Sequence, residues 1–139
     1  MSMIYENVKS YFDANGIRYE EVGGGDREAL SVAYSGKVME SVRVVLIFDK
    51  DGGSVALRCF NIAKVPEDKL MAAYVALNEL NGKFRWVKLH VDEDREITAE
   101  DDAVISPESA GAECLELIVR MIDIVDNNVY GEMMKLIWS

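Results

Sequence analysis

The sequence predicts an α+β fold, a single domain over residues 1–139 in which helices pack on a mainly antiparallel sheet. Three observations carry this prediction. Turn-forming stretches at Gly23-Gly24-Gly25-Asp26 and Asp49-Lys50-Asp51-Gly52-Gly53 each separate two strand-like segments, and hairpin connections make neighbouring strands antiparallel. Other segments repeat apolar residues with the helical period. The chain of 139 residues, half of them apolar, 29% charged and only 2 of them proline, is long enough to bury roughly two-thirds of its unfolded surface in one core. The same composition excludes disorder and collagen-like repeats.

The first helix is predicted from about Ile4 to Asn15, because Ile4, Val8, Tyr11 and Phe12 form one stripe and Asn15-Gly16 supplies a left-handed end. Ile17–Val22 reads as a weak edge strand. Ala29–Tyr34 follows the glycine turn, which lacks the phosphate-loop spacing G-x-x-x-x-G-K-[ST]. Val42–Phe48 is β-branched and nearly all apolar, the pattern of a central strand covered on both faces. The Asp49–Gly53 turn returns the chain along Ser54–Ile62; Gly53 and Ser54 stand at positions 5 and 6 of any calcium loop, where an oxygen ligand and a glycine are needed. Pro66 at a first helical position, with Glu67 and Asp68 behind it, starts a helix whose buried face is Leu70, Ala73, Tyr74, Leu77 and Leu80 and which Asn81-Gly82 ends. Phe84–Val91 alternates as a strand and turns through Asp92–Arg95 into Glu96–Val104. Ser106-Pro107-Glu108 then opens a helix carrying Ala110, Cys114, Leu117, Ile118, Met121, Ile124 and Val125 on one stripe, with a break at Asn127-Asn128 and Gly131 before Met133–Trp138. The predicted order is α-β-β-β-β-α-β-β-α.

The net charge of −10 is unevenly placed. Residues 1–91 hold 12 acids and 12 bases, whereas residues 92–139 hold 13 acids and 3 bases. Phosphate backbones and anionic membranes are repelled by such a chain, so neither nucleic acid nor membrane is an expected partner, while a basic protein or peptide would be drawn to the acidic end. The start Met1-Ser2-Met3-Ile4-Tyr5-Glu6 lacks the features of a signal peptide, and the longest apolar run, Val42–Phe48, is too short to span a bilayer. A cytoplasmic location is expected. Cys59 and Cys114, each among apolar neighbours, then read as two buried thiols.

The stretch Arg58-Cys59-Phe60-Asn61-Ile62-Ala63-Lys64-Val65-Pro66-Glu67-Asp68-Lys69, with Leu77-Asn78-Glu79-Leu80-Asn81 and Arg85-Trp86-Val87-Lys88, resembles the YbjN family, proposed bacterial sensory-transduction regulators. The likeness extends to Tyr11-Phe12-Asp13 and Gly16-Ile17, and to Cys114-Leu115-Glu116-Leu117, Met121 and Asp123-Ile124-Val125-Asp126. The resemblance implies a fold similar to the type III secretion chaperones, which are small, acidic, often homodimeric proteins that hold extended partner segments. Fold alone does not carry that role over.

His90 is the only histidine, and on an extended strand His90, Asp92 and Asp94 would share a face and could hold a divalent metal for a small hydrolase. The plainer reading is a turn with a surface histidine, since Asp92 and Asp94 sit where a hairpin reverses. Cys59 with His90 is a nucleophile–base pair only if the thiol leaves the apolar face on which Val55, Leu57 and Cys59 alternate. The carboxylates of Glu96–Asp102 are numerous, but no enclosure marks a catalytic pair. Arg58, Arg85 and Trp86 interrupt otherwise regular strands. Either Arg58 lays its stem over the sheet while Trp86 fills space under a helix, or the two form a binding groove for a peptide or second subunit. Met121, Met133, Met134, Ile137 and Trp138 close the core or form an adaptable contact surface. The expected function is accordingly a non-enzymatic protein- or peptide-binding regulatory module, homodimeric and without a cofactor or metal, with Arg58, Arg85, Trp86 and His90 as binding candidates. A metal-dependent hydrolase and a purely structural oligomer are the alternatives.

Overall fold

The computed structural model describes residues 2–50 and 52–139. Its elements are α1 (Met3–Ala14), β1 (Glu20–Glu21), β2 (Glu28–Tyr34), β3 (Val42–Phe48), β4 (Ser54–Cys59), α2 (Leu70–Lys83), β5 (Lys88–Val91), β6 (Ile97–Val104), α3 (Ala110–Ile124) and α4 (Tyr130–Ile137). A 3-10 turn at Glu67–Lys69 precedes α2, and a π turn at Val125–Val129 joins α3 to α4. The six strands form one antiparallel sheet in the order β1-β2-β3-β4-β6-β5. The α+β class and the order of elements are those the sequence predicts. Of the hairpin turn after β3, Asp51 lies outside the described residues, as does Met1 at the start of the chain. The turn closes through Gly52 N–H donating to the Asp49 carbonyl at 2.9 Å and Asp49 N–H donating to the Ser54 carbonyl at 3.1 Å.

The register assigns every strand residue to a face. Leu30, Leu46, Leu57 and Asp101 align across one face, and Ser31, Val45, Arg58, Glu100 and Lys88 across the other. The first face is buried together with Val8 and Phe12 of α1 and with Cys114, Ile118 and Met121 of α3, while α2 lies along the β5 edge and adds Ala73, Leu77 and Leu80. Tyr5 sets its ring edge-on to Phe48, centroids 5.4 Å apart. Among the described residues the second face has no helical layer. On β3, Val42, Val44, Leu46 and Phe48 are buried, but Val45 and Ile47 are half-buried and Arg43 is exposed. The expected two-sided cover is therefore wrong for β3: hairpins link β2, β3 and β4, so no crossover helix returns over the second face.

Several boundaries also differ from prediction; the strand predicted over Ser54–Ile62, for one, ends at Cys59. The edge strand predicted over Ile17–Val22 pairs only at Glu20–Glu21, where Glu21 accepts the Tyr5 hydroxyl at 2.7 Å and the Lys9 ammonium at 2.9 Å. These contacts tie β1 to α1. They also hold the Glu21 carboxyl below its usual range, while burial and the adjacent carboxylate push the Tyr5 phenol up to about 12. Pro66 stays extended (φ −60°, ψ 148°) ahead of the 3-10 turn, and Tyr74 of α2 faces solvent. The Ser106-Pro107-Glu108 segment forms a turn, Ser109 N–H donating to the Ser106 carbonyl at 3.3 Å, so α3 begins at Ala110. At Asn127-Asn128 the expected break is replaced by the π turn, and the helix continues into α4.

Helix α2 runs past Asn81-Gly82 to Lys83 because the Asn81 side chain is committed elsewhere. Its Oδ1 accepts Leu89 N–H at 2.8 Å and its Nδ2 donates to the Leu89 carbonyl at 3.0 Å, so one amide satisfies both groups that this edge-strand residue turns outward. An edge so occupied is closed to strand addition. Asn81→Ala is expected to leave the fold intact, to destabilise it by about 1–2 kcal/mol, and to speed hydrogen exchange at the Leu89 amide. Unchanged Leu89 exchange in the folded variant contradicts this role.

Candidate functional site

The connection from α2 to β5 is short and tightly held. Asn81 fixes β5 against the last turn of α2, leaving residues 84–87 to reverse the chain. They do so with a γ-turn: Val87 N–H donates to the Arg85 carbonyl at 2.7 Å and Trp86, between them, takes φ 68°. The predicted strand Phe84–Val91 is consequently cut to Lys88–Val91. A positive-φ γ-turn is rare and strained, the more so for a bulky aromatic residue.

Trp86 does not fill space beneath a helix, as the plainer expectation had it; the residue is 60% exposed. Its ring lies against the Arg120 guanidinium of α3, 5.6 Å from the ring centroid, within cation–π range. Arg120 Nη2 in turn donates to Asp101 Oδ2 at 3.1 Å, and the Asp101 side chain is only 3% exposed. The strand parity that aligns Asp101 with Leu57 explains this burial. A carboxylate on the helix-covered face requires a cation, and Arg120 supplies it. The chain thus presents a rigid surface unit of indole, guanidinium and buried carboxylate, with no nucleophile in it.

The remaining predicted residues separate from Trp86. Arg58 lies on the uncovered face, where its Nε is 3.1 Å from Glu100 Oε2 and its Nη1 is 2.8 Å from Asp102 Oδ1. His90 joins the same cluster through Nδ1, 2.7 Å from Glu100 Oε1. Glu100 therefore brings Arg58 and His90 together, while Trp86 pairs with Arg120 on the other side of the sheet. The expected Arg58–Trp86 groove is not formed, because the γ-turn takes Trp86 out of the strand alternation. Arg85 is exposed, with its carbonyl closing the γ-turn.

His90, Asp92 and Asp94 do not converge. Asp92 Oδ1 accepts the N–H groups of Asp94 and Glu96, both at 2.9 Å, and serves as the hairpin's internal cap. Among the described residues no three His, Cys, Asp or Glu side chains are grouped as a metal site. Cys59 aligns with Ala99 and His90 with Thr98, so the two stand on opposite faces. Both thiols are buried and unbridged, and burial pushes each up to about 12. Met121 and Met133 are fully buried, so that stripe closes the core; Trp138 remains exposed.

Asp126, which the sequence shows only as the end of the family-like segment Asp123-Ile124-Val125-Asp126 and without a role, anchors a loop in the structure. The π turn swings it inward while Asn127 and Asn128 stay in solvent. Its carboxylate accepts three successive backbone N–H groups of the β2–β3 loop, from Lys37 at 2.6 Å, Val38 at 3.1 Å and Met39 at 2.7 Å. Those bonds hold its carboxyl below the usual range. Gly36 completes the fit, since a Cβ there would lie 2.4 Å from Asp126 Oδ1 and 2.6 Å from the Met39 carbonyl oxygen. The sequence signal, an acid beside the apolar stripe, is weak on its own.

Among the described residues no helix is long and apolar enough to cross a membrane. No curated protein matches the chain. A solved structure, the crystal structure of YbjN from E. coli, described as "a putative transcription regulator", is similar in fold. Its TM-score is 0.60 at 12% identity, covering 93% of this chain and 92% of that one. Residues 5–127 match the YbjN family, described as "putative bacterial sensory transduction regulator". The chain whose α2–β5 connection presents Trp86 on Arg120 therefore belongs to the YbjN family.

Proposed function

We propose that this chain is a non-enzymatic regulatory module of the cytoplasm that acts by binding a protein or peptide partner. The observation that carries the reading is Trp86: an exposed indole kept in a strained backbone and steadied by an arginine. Backbone strain of this kind costs about 1–3 kcal/mol and concentrates at sites of function. Tryptophan and arginine are also the residue types most enriched in binding hot spots. The regulator descriptions of the family and of the E. coli protein support a regulatory outcome. With a net charge of −10, regulation through a protein partner is favoured over direct contact with nucleic acid, and a basic partner over an acidic one. The sheet face without a helical layer, where Val45, Ile47 and Ala56 are half-buried, is the surface we assign to a homodimer, as in a chaperone-like assembly.

Affinity capture from bacterial lysate with mass spectrometry, run in parallel on the wild type and Trp86→Ala, tests the reading. The expected result is a specific set of proteins held by the wild type and lost by the variant, whose melting temperature is unchanged. Light scattering is expected to give a particle of about twice 15.6 kDa. Capture of the same proteins by both forms, or a wild-type monomer that captures nothing, overturns it.

A further inference from the structure

The outer side of α3 carries a second feature, separate from the Trp86 turn itself. Ala112, Leu115, Glu116, Val119, Arg120 and Asp123 line an open groove along the helix. Val119 and Asp123 also belong to an adjoining depression walled by Tyr34, Ser35, Gly36 and Lys37 of the β2–β3 loop, the loop that Asp126 holds in place. The two therefore make one continuous trough, with Val119, 55% exposed, at its middle. Leu115 and Ile122 form a half-buried floor. Glu116 and Asp123 stand on the exposed stripe two helical turns apart, and among the described residues no cation lies within ion-pair distance of either. Two bases border the trough: Arg120, already occupied by Asp101 and Trp86, and Lys37 on the wall contributed by the β2–β3 loop.

From this geometry we propose that the α3 trough is the docking site for a basic amphipathic helix of a partner protein. The proposal rests on the protein-binding reading above and names its surface. A trough with an apolar floor and acids along its exposed stripe fits a helix that buries an apolar stripe and keeps lysines or arginines at its flanks. A second copy of this chain does not supply such a helix: α1, α2, α3 and α4 each contain a single basic residue, Lys9, Lys83, Arg120 and Lys135. Two copies of α3 would instead set Glu116 and Asp123 against one another.

The test uses the full chain and three synthetic peptides of about four helical turns: a leucine/lysine amphipathic helix, a scramble of it with the same charge, and a leucine/glutamate helix. Backbone amide shifts are followed by NMR and affinity by fluorescence anisotropy. The expected result is binding of the first peptide alone, with shifts confined to residues 112–127 and 34–37. Val119→Lys and the double variant Glu116→Lys, Asp123→Lys, both at exposed positions, are each expected to weaken it by at least about tenfold, with the fold intact by circular dichroism. Equal binding of the scramble reduces the effect to net charge and overturns the proposal, as do shifts centred elsewhere or a dimer that Val119→Lys dissolves. Partner capture that is lost in Trp86→Ala but kept in Val119→Lys overturns the trough while leaving the protein-binding reading standing.

Discussion

Asp126→Ala is expected to destabilise the protein by about 3 kcal/mol, lowering its melting temperature by roughly 9 °C. The side chain is buried and accepts three charge-assisted hydrogen bonds from consecutive backbone groups of residues 37–39. Hydrogen bonds to a charged group contribute about 1.5–3 kcal/mol each, and they share one carboxylate here, so their effects do not add in full. Removing the acceptor leaves three N–H groups pointing at a cavity that only water can fill. Asp126→Asn keeps one acceptor oxygen and is expected to lose about half as much. Gly36→Ala tests the same contact from the loop side, since its Cβ would displace the carboxylate. Thermal unfolding of the three variants decides; losses below about 1 kcal/mol in Asp126→Ala and Gly36→Ala would show that the loop is not anchored there.

The pH dependence of that difference has a fixed sign. An aspartate in an unfolded chain titrates near about 3.9, and the native Asp126 carboxyl is held lower by the three N–H donors. The unfolded state therefore binds the proton first. The stabilisation is present in full above the unfolded value and is lost as pH falls through it toward the native one. The melting temperatures of the wild type and Asp126→Ala are expected to differ most at neutral pH and to converge in acid.

How much of this was legible in the sequence depends on where each contact closes. Strand β3 is bounded at Val42 and Phe48 by its own residues, and the stripe Ile4, Val8 and Phe12 declares α1, because both patterns are local. The partner of Asp126 lies 87–89 residues away, and no periodicity records it. Asp101 shows a different obstacle. Its parity with Ile97 and Ala99 marks it for the buried face, but it sits in the run Glu100-Asp101-Asp102, which reads as a solvated acidic stretch until Arg120 is seen to meet it. Alternation along Phe84–Val91 predicts Trp86 on the face of Lys88 and His90, and the structure sets it on the other, against Arg120. Strand alternation holds only for extended backbone, and the γ-turn that Asn81 and the short connection impose is a tertiary outcome. Of the binding candidates, Arg58 and His90 fall together only through Glu100, which in the sequence is one carboxylate among the many of Glu96–Asp102.

Gly111→Ala is the second substitution expected to act strongly, and its sign opposes helix propensity. In an isolated helix the change stabilises by about 1 kcal/mol. Here Gly111 lies in the first turn of α3, buried against α1, and a Cβ on it would come within 2.2 Å of the Tyr11 Cβ and 2.4 Å of Tyr11 Cγ. Because the nearest atom is Cβ, no rotation of the Tyr11 side chain relieves the overlap; the backbones must separate. That separation works against Phe12 and Val8, packed in the same core, and against Asn7, whose Nδ2 donates to the Pro107 carbonyl at 2.9 Å. Overpacking of this kind costs about 1–3 kcal/mol or more, so a net loss of about 2 kcal/mol and about 6 °C in melting temperature is expected after the propensity gain. A double-mutant cycle identifies the cause. Tyr11→Ala retains the offending Cβ and is expected not to rescue Gly111→Ala, whereas Tyr11→Gly removes it and is expected to show a favourable coupling of about 1 kcal/mol or more. Rescue by both substitutions alike would place the conflict in the tyrosine ring, and a stabilising Gly111→Ala would show that α1 and α3 have room to move apart.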